Sequence, residues 1–390
     1  MSDTENRSLP PGYCWQIAKE DFDFDIVTRS TGFQKYKKHA EKQGLVRDIC
    51  DPSLSDETLE VPVENYINVA QKSAQWFKLR KAAGGTASSV GKMIKGPLSY
   101  PTTEQINDKW LDKITNAPFV VTHTMRGHMK WGVGYEDPAL IHFAVDNNLS
   151  VVQVGTIYTP LSYIISLIPE YFNDTEQKTL QSLIQCLTVG DAHLIVSPDG
   201  LVGTPDGGAY TDIPSELVGM LEIKCISPFH HIEEKNSSLS WVDNMETRQW
   251  YTAREIPFVY VIQICLQAIS GLYHLDMTSE NTMWFMRWSP SGFSEFSMPF
   301  EYIVRIGIMA SLLYFSLIQR IKAETDLPFQ YNAIEMPVST LLNKYYFDLV
   351  DSKMSHRYVE LDKLYPEFFT YQKYTERFRF KVKGDSTGSS

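Results

Sequence analysis

Read for the spacing of hydrophobic and polar positions alone, the chain switches repeatedly between strand and helix periods. Leu221, Glu222, Ile223, Lys224 and Cys225 alternate apolar with charged. Successive side chains on a strand point to opposite faces, so Glu222 and Lys224 share one face and Leu221, Ile223 and Cys225 the other. This predicts a half-buried strand with a carboxylate beside an ammonium on its polar face. Upstream, Leu194-Ile195-Val196 is an apolar run that ends at Ser197-Pro198-Asp199-Gly200, a strand entering a turn. Val152–Tyr158 and Thr282–Trp288 also read as strands. Helical spacing covers Val63–Leu79, the almost wholly apolar Phe258–Gly271, and Glu301–Lys322, while Leu161–Tyr171 and Thr179–Leu187 are mixed or helical. Between Met125 and Val145, Pro138 fits a first helical turn with Asp137 as its cap. Ser227–Glu255 reads as a polar loop, and Tyr13–Glu64 shows no strong period.

Candidate chemistry falls at the ends of these elements. An Asp closing one strand and a Glu-x-Lys on the next offer the hard oxygen donors that suit Mg²⁺, which takes few carboxylates and keeps several waters. Such an ion activates water and neutralises a phosphoryl oxygen, and a neighbouring lysine stabilises developing charge. The same residues are also ordinary turn and edge-strand chemistry. Gly84-Gly85-Thr86-Ala87-Ser88-Ser89 is a glycine turn entering a helix, which reads either as a simple cap or, with Arg80 nearby, as a phosphate site. Glu136, at the mouth of the Pro138 helix, either offsets the helix dipole or projects into a site. Gln263 and Gln267 lie one helical turn apart on an apolar helix, which predicts a buried polar cluster or a bond between helices. The adjacent His230 and His231 do not have the spacing of two metal ligands on one element.

Composition narrows the classes. The 390 residues suffice for one elaborated domain or two. The formal charge of −11 argues against a protein that coats nucleic acid through a basic excess. It is compatible with a nuclease, whose metal-binding carboxylates add negative charge while basic residues line one channel. Five cysteines without a Cys-x-x-Cys pair point to a reducing compartment. The opening Met-Ser-Asp-Thr-Glu-Asn-Arg lacks the basic and apolar regions of a signal peptide. The longest apolar segment, around Ile306–Ile318, is short for a bilayer span and reads as a buried helix. The expectation is a soluble, intracellular protein with no membrane partner, in the nucleus or the cytoplasm.

Taken in order, these blocks resemble the lambda-exonuclease (YqaJ) branch of the PD-(D/E)XK nucleases, which includes viral alkaline exonucleases. Trp76-Phe77-Lys78-Leu79-Arg80 with Thr86-Ala87-Ser88 is similar to the family's Trp…Arg…Thr-Ala-Ser block, and Trp131-Gly132 with Glu136 and Ala139 to its Trp-Gly…Glu-x-x-Ala block. Ser197-Pro198-Asp199-Gly200-Leu201 followed by Leu221-Glu222-Ile223-Lys224-Cys225 resembles the family's metal-site core. Tyr260, Gln263 and Gln267 resemble the helix that closes the site, with Cys265 where many relatives have another glutamine.

The resemblance implies an α/β fold with a restriction-endonuclease-like core: a central mixed sheet carrying Asp199, Glu222 and Lys224, flanked by helices, with helical elaborations at both ends. It implies that Asp199, Glu222 and Glu136, with the backbone carbonyl of Ile223, bind Mg²⁺, for which Mn²⁺ can substitute. Lys224 and Gln263 assist hydrolysis, and Arg80 and Ser88 hold a 5′-phosphate. Asp206, in Thr204-Pro205-Asp206-Gly207, is an alternative metal ligand; the strand at Leu194–Val196 favours Asp199. The expected activity is Mg²⁺-dependent digestion of linear double-stranded DNA from a free 5′ end, in viral-type recombination, repair or genome processing. An RNA-cleaving or structure-specific endonuclease on the same fold, and a non-catalytic DNA-binding recombination partner, are the alternatives. A single-strand annealing protein and a ring-shaped homotrimer are the partners the resemblance implies. The expected organisation is a leader over 1–12, an extension over 13–73, the nuclease core over 74–300, a helical region over 301–383 and a tail over 384–390.

Overall fold

From the N-terminus the elements are β1 (Trp15–Ile17), α1 (Asp25–Thr28), α2 (Thr31–Gln43), β2 (Val46–Asp48), α3 (Ala74–Ala82), β3 (Gly85–Thr86), α4 (Ala87–Met93) and α5 (His123–Asn147). Next come β4 (Ser150–Gln153), β5 (Ile157–Pro160), α6 (Leu161–Ser166), α7 (Ile168–Tyr171), α8 (Asp174–Ile184), β6 (His193–Val196), β7 (Gly200–Gly203) and β8 (Leu217–Cys225). The chain continues through β9 (Phe229–Glu233), β10 (Leu239–Asp243), α9 (Phe258–His274), β11 (Thr282–Ser289), β12 (Gly292–Pro299), α10 (Phe300–Ala323), α11 (Glu335–Asp348), β13 (Ser355–Glu360) and β14 (Lys381–Val382). This computed structural model describes residues 15–17, 25–97, 108, 123–205, 213–214, 216–225, 229–233, 239–243, 256–290, 292–323, 335–361, 364 and 381–382.

Among the described residues the largest sheet has seven strands in the order β13-β12-β11-β8-β7-β4-β2. It is mixed: β8 runs parallel to β11 and antiparallel to β7, and β4 runs parallel to β2. The α/β architecture with helices on a central mixed sheet is therefore as expected. Strand β8 is its middle, and both faces of β8 are covered. Leu221 and Ile223 pack into a cluster with Trp131, Tyr135, Leu140 and Phe143 of α5, whereas Met220 joins the opposite cluster with Val261, Ile262 and Leu266 of α9. A third, much smaller cluster holds Val69, Leu79 and Ile195 beneath α3. Helix α9 is apolar all round because a second helix, α10, covers its far side. Close approach of elements needs glycine at Gly219, where a Cβ would run into the Thr282 carbonyl oxygen, and at Gly307, where one would lie 2.6 Å from that of Cys265.

Several expectations need correction. The alternative of ordinary edge-strand chemistry does not hold for Glu222, which is 1% exposed because α9 lies over it. Pro138 does not start a helix but lies inside α5. It forfeits one backbone bond there, yet Trp131, Tyr135, Ala139, Leu140 and Phe143 recur at three- and four-residue spacing across it and are all buried. That burial outweighs an interior proline's cost of about 3 kcal/mol. The helix expected over 63–79 splits into a 3₁₀ turn at Val63–Asn68 and α3, separated by Lys72 with φ of 69°. The strand expected over 152–158 is two strands in different sheets, β4 and β5. The expected loop at 227–255 contains the antiparallel pair β9 and β10, so His230 and His231 lie on a strand. The apolar segment near 306–318 is part of a longer helix; Phe300–Arg320 is long and apolar enough to cross a membrane, but 78% of that stretch is buried inside the fold.

Candidate active site

The site is built where the second sheet, ordered β3-β6-β5, meets β7 and β8. Strand β6 ends at Val196, and the Ser197-Pro198-Asp199 turn carries the chain into β7. The turn is fixed to β8 at two points: Asp199 N–H donates to the Leu221 carbonyl at 3.1 Å, and Ile223 N–H donates to Asp199 Oδ2 at 2.6 Å. Asp199 is thereby brought beside the Glu222–Lys224 segment, 24 positions later in the chain.

Glu222 needs its partners because a buried carboxylate without them is costly. Gln263 Nε2 donates to Glu222 Oε1 and Gln267 Nε2 to Oε2, each at 2.6 Å. The two glutamines one turn apart on α9 are thus the polar cluster that their spacing predicts. Lys224 Nζ completes the shell, donating to Glu222 Oε1 and, at 3.2 Å, to the carbonyl of Ile223. Burial pulls the ammonium's pKa down, but Glu222 and Asp199 outweigh that and hold it above the ordinary lysine value. The Asp199 carboxyl is displaced upward, well above the carboxylate range, first by burial and then by Glu222 and Glu136, with Lys224 opposing.

Glu136 stands partly apart. It lies in the middle of α5 and pairs with Lys72 Nζ at 2.6 Å. Among the described residues no group of three or more His, Cys, Asp or Glu side chains is gathered tightly enough to hold a metal by itself. The donor set nevertheless suits a hard cation. Lys224's positive charge already bridges Glu222 Oε1 and the Ile223 carbonyl, Asp199 is adjacent, and the carboxylates crowd one another enough to raise the Asp199 pKa. Asp206 lies outside the described residues.

Arg80 and Ser88 do meet: Arg80 Nη2 donates to Ser88 Oγ at 2.9 Å. Burial lowers the Arg80 pKa and Glu222 opposes this, so the guanidinium is within electrostatic reach of that carboxylate. Helix α4 itself is only seven residues long, and a capping box between Thr86 and Ser89 engages its first turn. Anion binding here would therefore fall to the Arg80 and Ser88 side chains.

Five contacts were not legible in the residue pattern. Gln71 Nε2 donates to the carbonyls of Val154 and Pro198, both at 2.9 Å, and Lys72 holds Glu136 from a left-handed backbone position. Trp76 Nε1 donates to Ser197 Oγ, which also bonds Thr156 Oγ1. These partners come from distant segments, and only the family-like block around Trp76 offered a signal.

A family model, the YqaJ-like viral recombinase domain, matches residues 75–274, just over half of the chain. The match runs from the first turn of α3 to the end of α9 and so includes every side chain of this cluster except Gln71 and Lys72. No curated protein matches the chain.

Proposed function

Since the chain belongs to the YqaJ-like viral recombinase family, whose role is in nuclease and recombination chemistry on DNA, we propose that it is a Mg²⁺-dependent exonuclease digesting linear double-stranded DNA from the 5′ end. The observation that carries the proposal is the convergence of Asp199, Glu222, Lys224 and the Ile223 carbonyl where the Asp199 turn meets β8. Asp199, Glu222 and the Ile223 carbonyl would hold the ion, with Glu136 as a further donor once released from Lys72. Bound there, Mg²⁺, or Mn²⁺ in its place, supplies a polarised phosphoryl oxygen and an acidified water.

The chain's own residues supply the remainder. Gln263 and Gln267 hold the Glu222 side chain fixed in a water-poor setting. Lys224, kept charged by its neighbours, stabilises charge growing on the phosphoryl group. Water oxygen forms a bond to phosphorus as the bond from phosphorus to O3′ breaks, and O3′ leaves with a proton. The released nucleotide keeps its original 5′-phosphate, and the new end carries the phosphate that was attacked. Arg80 and Ser88 would therefore meet the same terminal group in every cycle. The remaining strand ends in a 3′ single-stranded tail, the substrate of a single-strand annealing protein.

The test pairs linear 5′-phosphorylated duplex with closed circular DNA, with and without Mg²⁺, for the wild type, Lys224→Ala and Glu222→Gln. Shortening of the linear DNA alone, lost without Mg²⁺ and in both variants, supports the proposal. Cutting of the circle, or of RNA, replaces it with an endonuclease; binding without any product replaces it with a non-catalytic partner.

A further inference from the structure

The geometry points to Trp76 as the positioning residue that sets the reach between the 5′-phosphate anchor and the hydrolytic carboxylates, an inference that rests on the role proposed above for Arg80 and Ser88. Its indole is fastened on two sides. Nε1–H donates to Ser197 Oγ at 3.0 Å, and that hydroxyl is bonded at 3.0 Å to Thr156, which is fully buried. Ser197 is two residues before Asp199, whose carboxylate is hooked to β8. On the other side, Arg80, one helical turn later, places its guanidinium carbon 4.3 Å from the centroid of the Trp76 ring before reaching Ser88.

Among the described residues no carboxylate forms an ion pair with Arg80, so the indole face and the Ser88 hydroxyl are what orient it there. The guanidinium presents five N–H donors, and only one bond to a side chain is made, which leaves donors for a phosphate. Trp76 is a rigid plate with two side-chain torsions. It therefore transmits the position of the Asp199 turn to the guanidinium. A reacting group displaced by about 1 Å can cost about 100-fold in rate, so such a plate governs turnover as well as affinity.

Two substitutions separate the two fastenings. Trp76→Phe keeps an aromatic face for Arg80 but lacks the N–H to Ser197, whereas Trp76→Leu lacks both. Binding of 5′-phosphorylated and 5′-hydroxyl duplexes is read by fluorescence anisotropy in a Lys224→Ala background, and kcat and KM are read with Lys224 in place. Circular dichroism and a denaturation midpoint establish that each variant folds. Trp76→Leu is expected to weaken binding of phosphorylated ends about 3- to 30-fold, the span of a cation–π contact, and to leave hydroxyl ends unchanged. Trp76→Phe is expected to keep the preference and lower kcat about 10-fold or more. If the wild type prefers phosphorylated ends, Arg80→Ala abolishes that preference and a folded Trp76→Leu preserves it, the role of Trp76 is overturned while the reading of Arg80 stands. A wild type with no preference, matched by Arg80→Ala, overturns both. Should Trp76→Leu not fold, an unchanged kcat in Trp76→Phe overturns the inference.

Discussion

His142 gives the fold a predictable sensitivity to acid. It is fully buried on α5, where its Nδ1 accepts a bond from Trp288 Nε1–H at 2.8 Å, and the two rings stack with centroids 5.7 Å apart. That bond requires an unprotonated Nδ1, and burial holds the folded-state pKa down at about 3. In the unfolded chain the imidazole returns to about 6.5. Because the folded value is the lower one, the contribution is complete above the unfolded pKa and is lost as pH falls toward the folded pKa. Integrating the proton linkage from pH 7 to pH 5 gives a loss of about 2 kcal/mol from this residue alone. Urea denaturation of the wild type and of His142→Gln at pH 7, 6 and 5 isolates it. Glutamine offers Trp288 an acceptor but does not titrate in this range, so the stability difference between the two proteins should shrink by about 2 kcal/mol on acidification. Parallel losses in the two proteins would refute the premise that His142 is folded only in its neutral form.

Further expectations follow from the packing and the site. Gly219→Ala forces a methyl group against the Thr282 carbonyl at the β8–β11 register and should cost at least about 2 kcal/mol in urea denaturation; wild-type stability would contradict that register. Both oxygens of Glu335, 1% exposed, accept from Arg320 at 2.8 Å. Arg320→Met should cost about 3–5 kcal/mol, and a second substitution, Glu335→Leu, should recover most of it. An unrecovered loss would assign the cost to packing instead. Gln267→Leu removes one of the bonds that fix Glu222 and should reduce Mg²⁺-dependent turnover, or raise the Mg²⁺ needed for half-saturation, by about 10–100-fold while the protein stays folded. Unchanged Mg²⁺ titrations would show that the amide only fills space.

The parts of the fold written in local spacing were legible. The period-two run at Leu221–Cys225, the apolar run into the Asp199 turn, and two glutamines one turn apart on an apolar helix all mark elements that the structure contains. Their mutual placement was not. That Gln263 and Gln267 face Glu222 depends on α9 crossing one face of β8, a contact between positions some 41 and 45 residues apart. Pro138 misled for a related reason: local chemistry marks a helix start, while the apolar face on both sides of it is buried as one surface. Lys72 had no signal at all, since nothing in a lysine announces a left-handed backbone.

The three apolar clusters also differ in what they support. Glu222 and Lys224 stand on a strand gripped between the two large clusters, so the amides around them should open only when the molecule unfolds as a whole. Arg80 stands on α3, a nine-residue helix seated on the smallest cluster, with Phe77 of the same helix 58% exposed. Local fluctuations at that helix need break far fewer contacts. Warming or mild denaturant should therefore loosen Arg80 and the DNA-terminus site proposed for it before it disturbs the carboxylates, and hydrogen exchange would record this as two separate opening free energies.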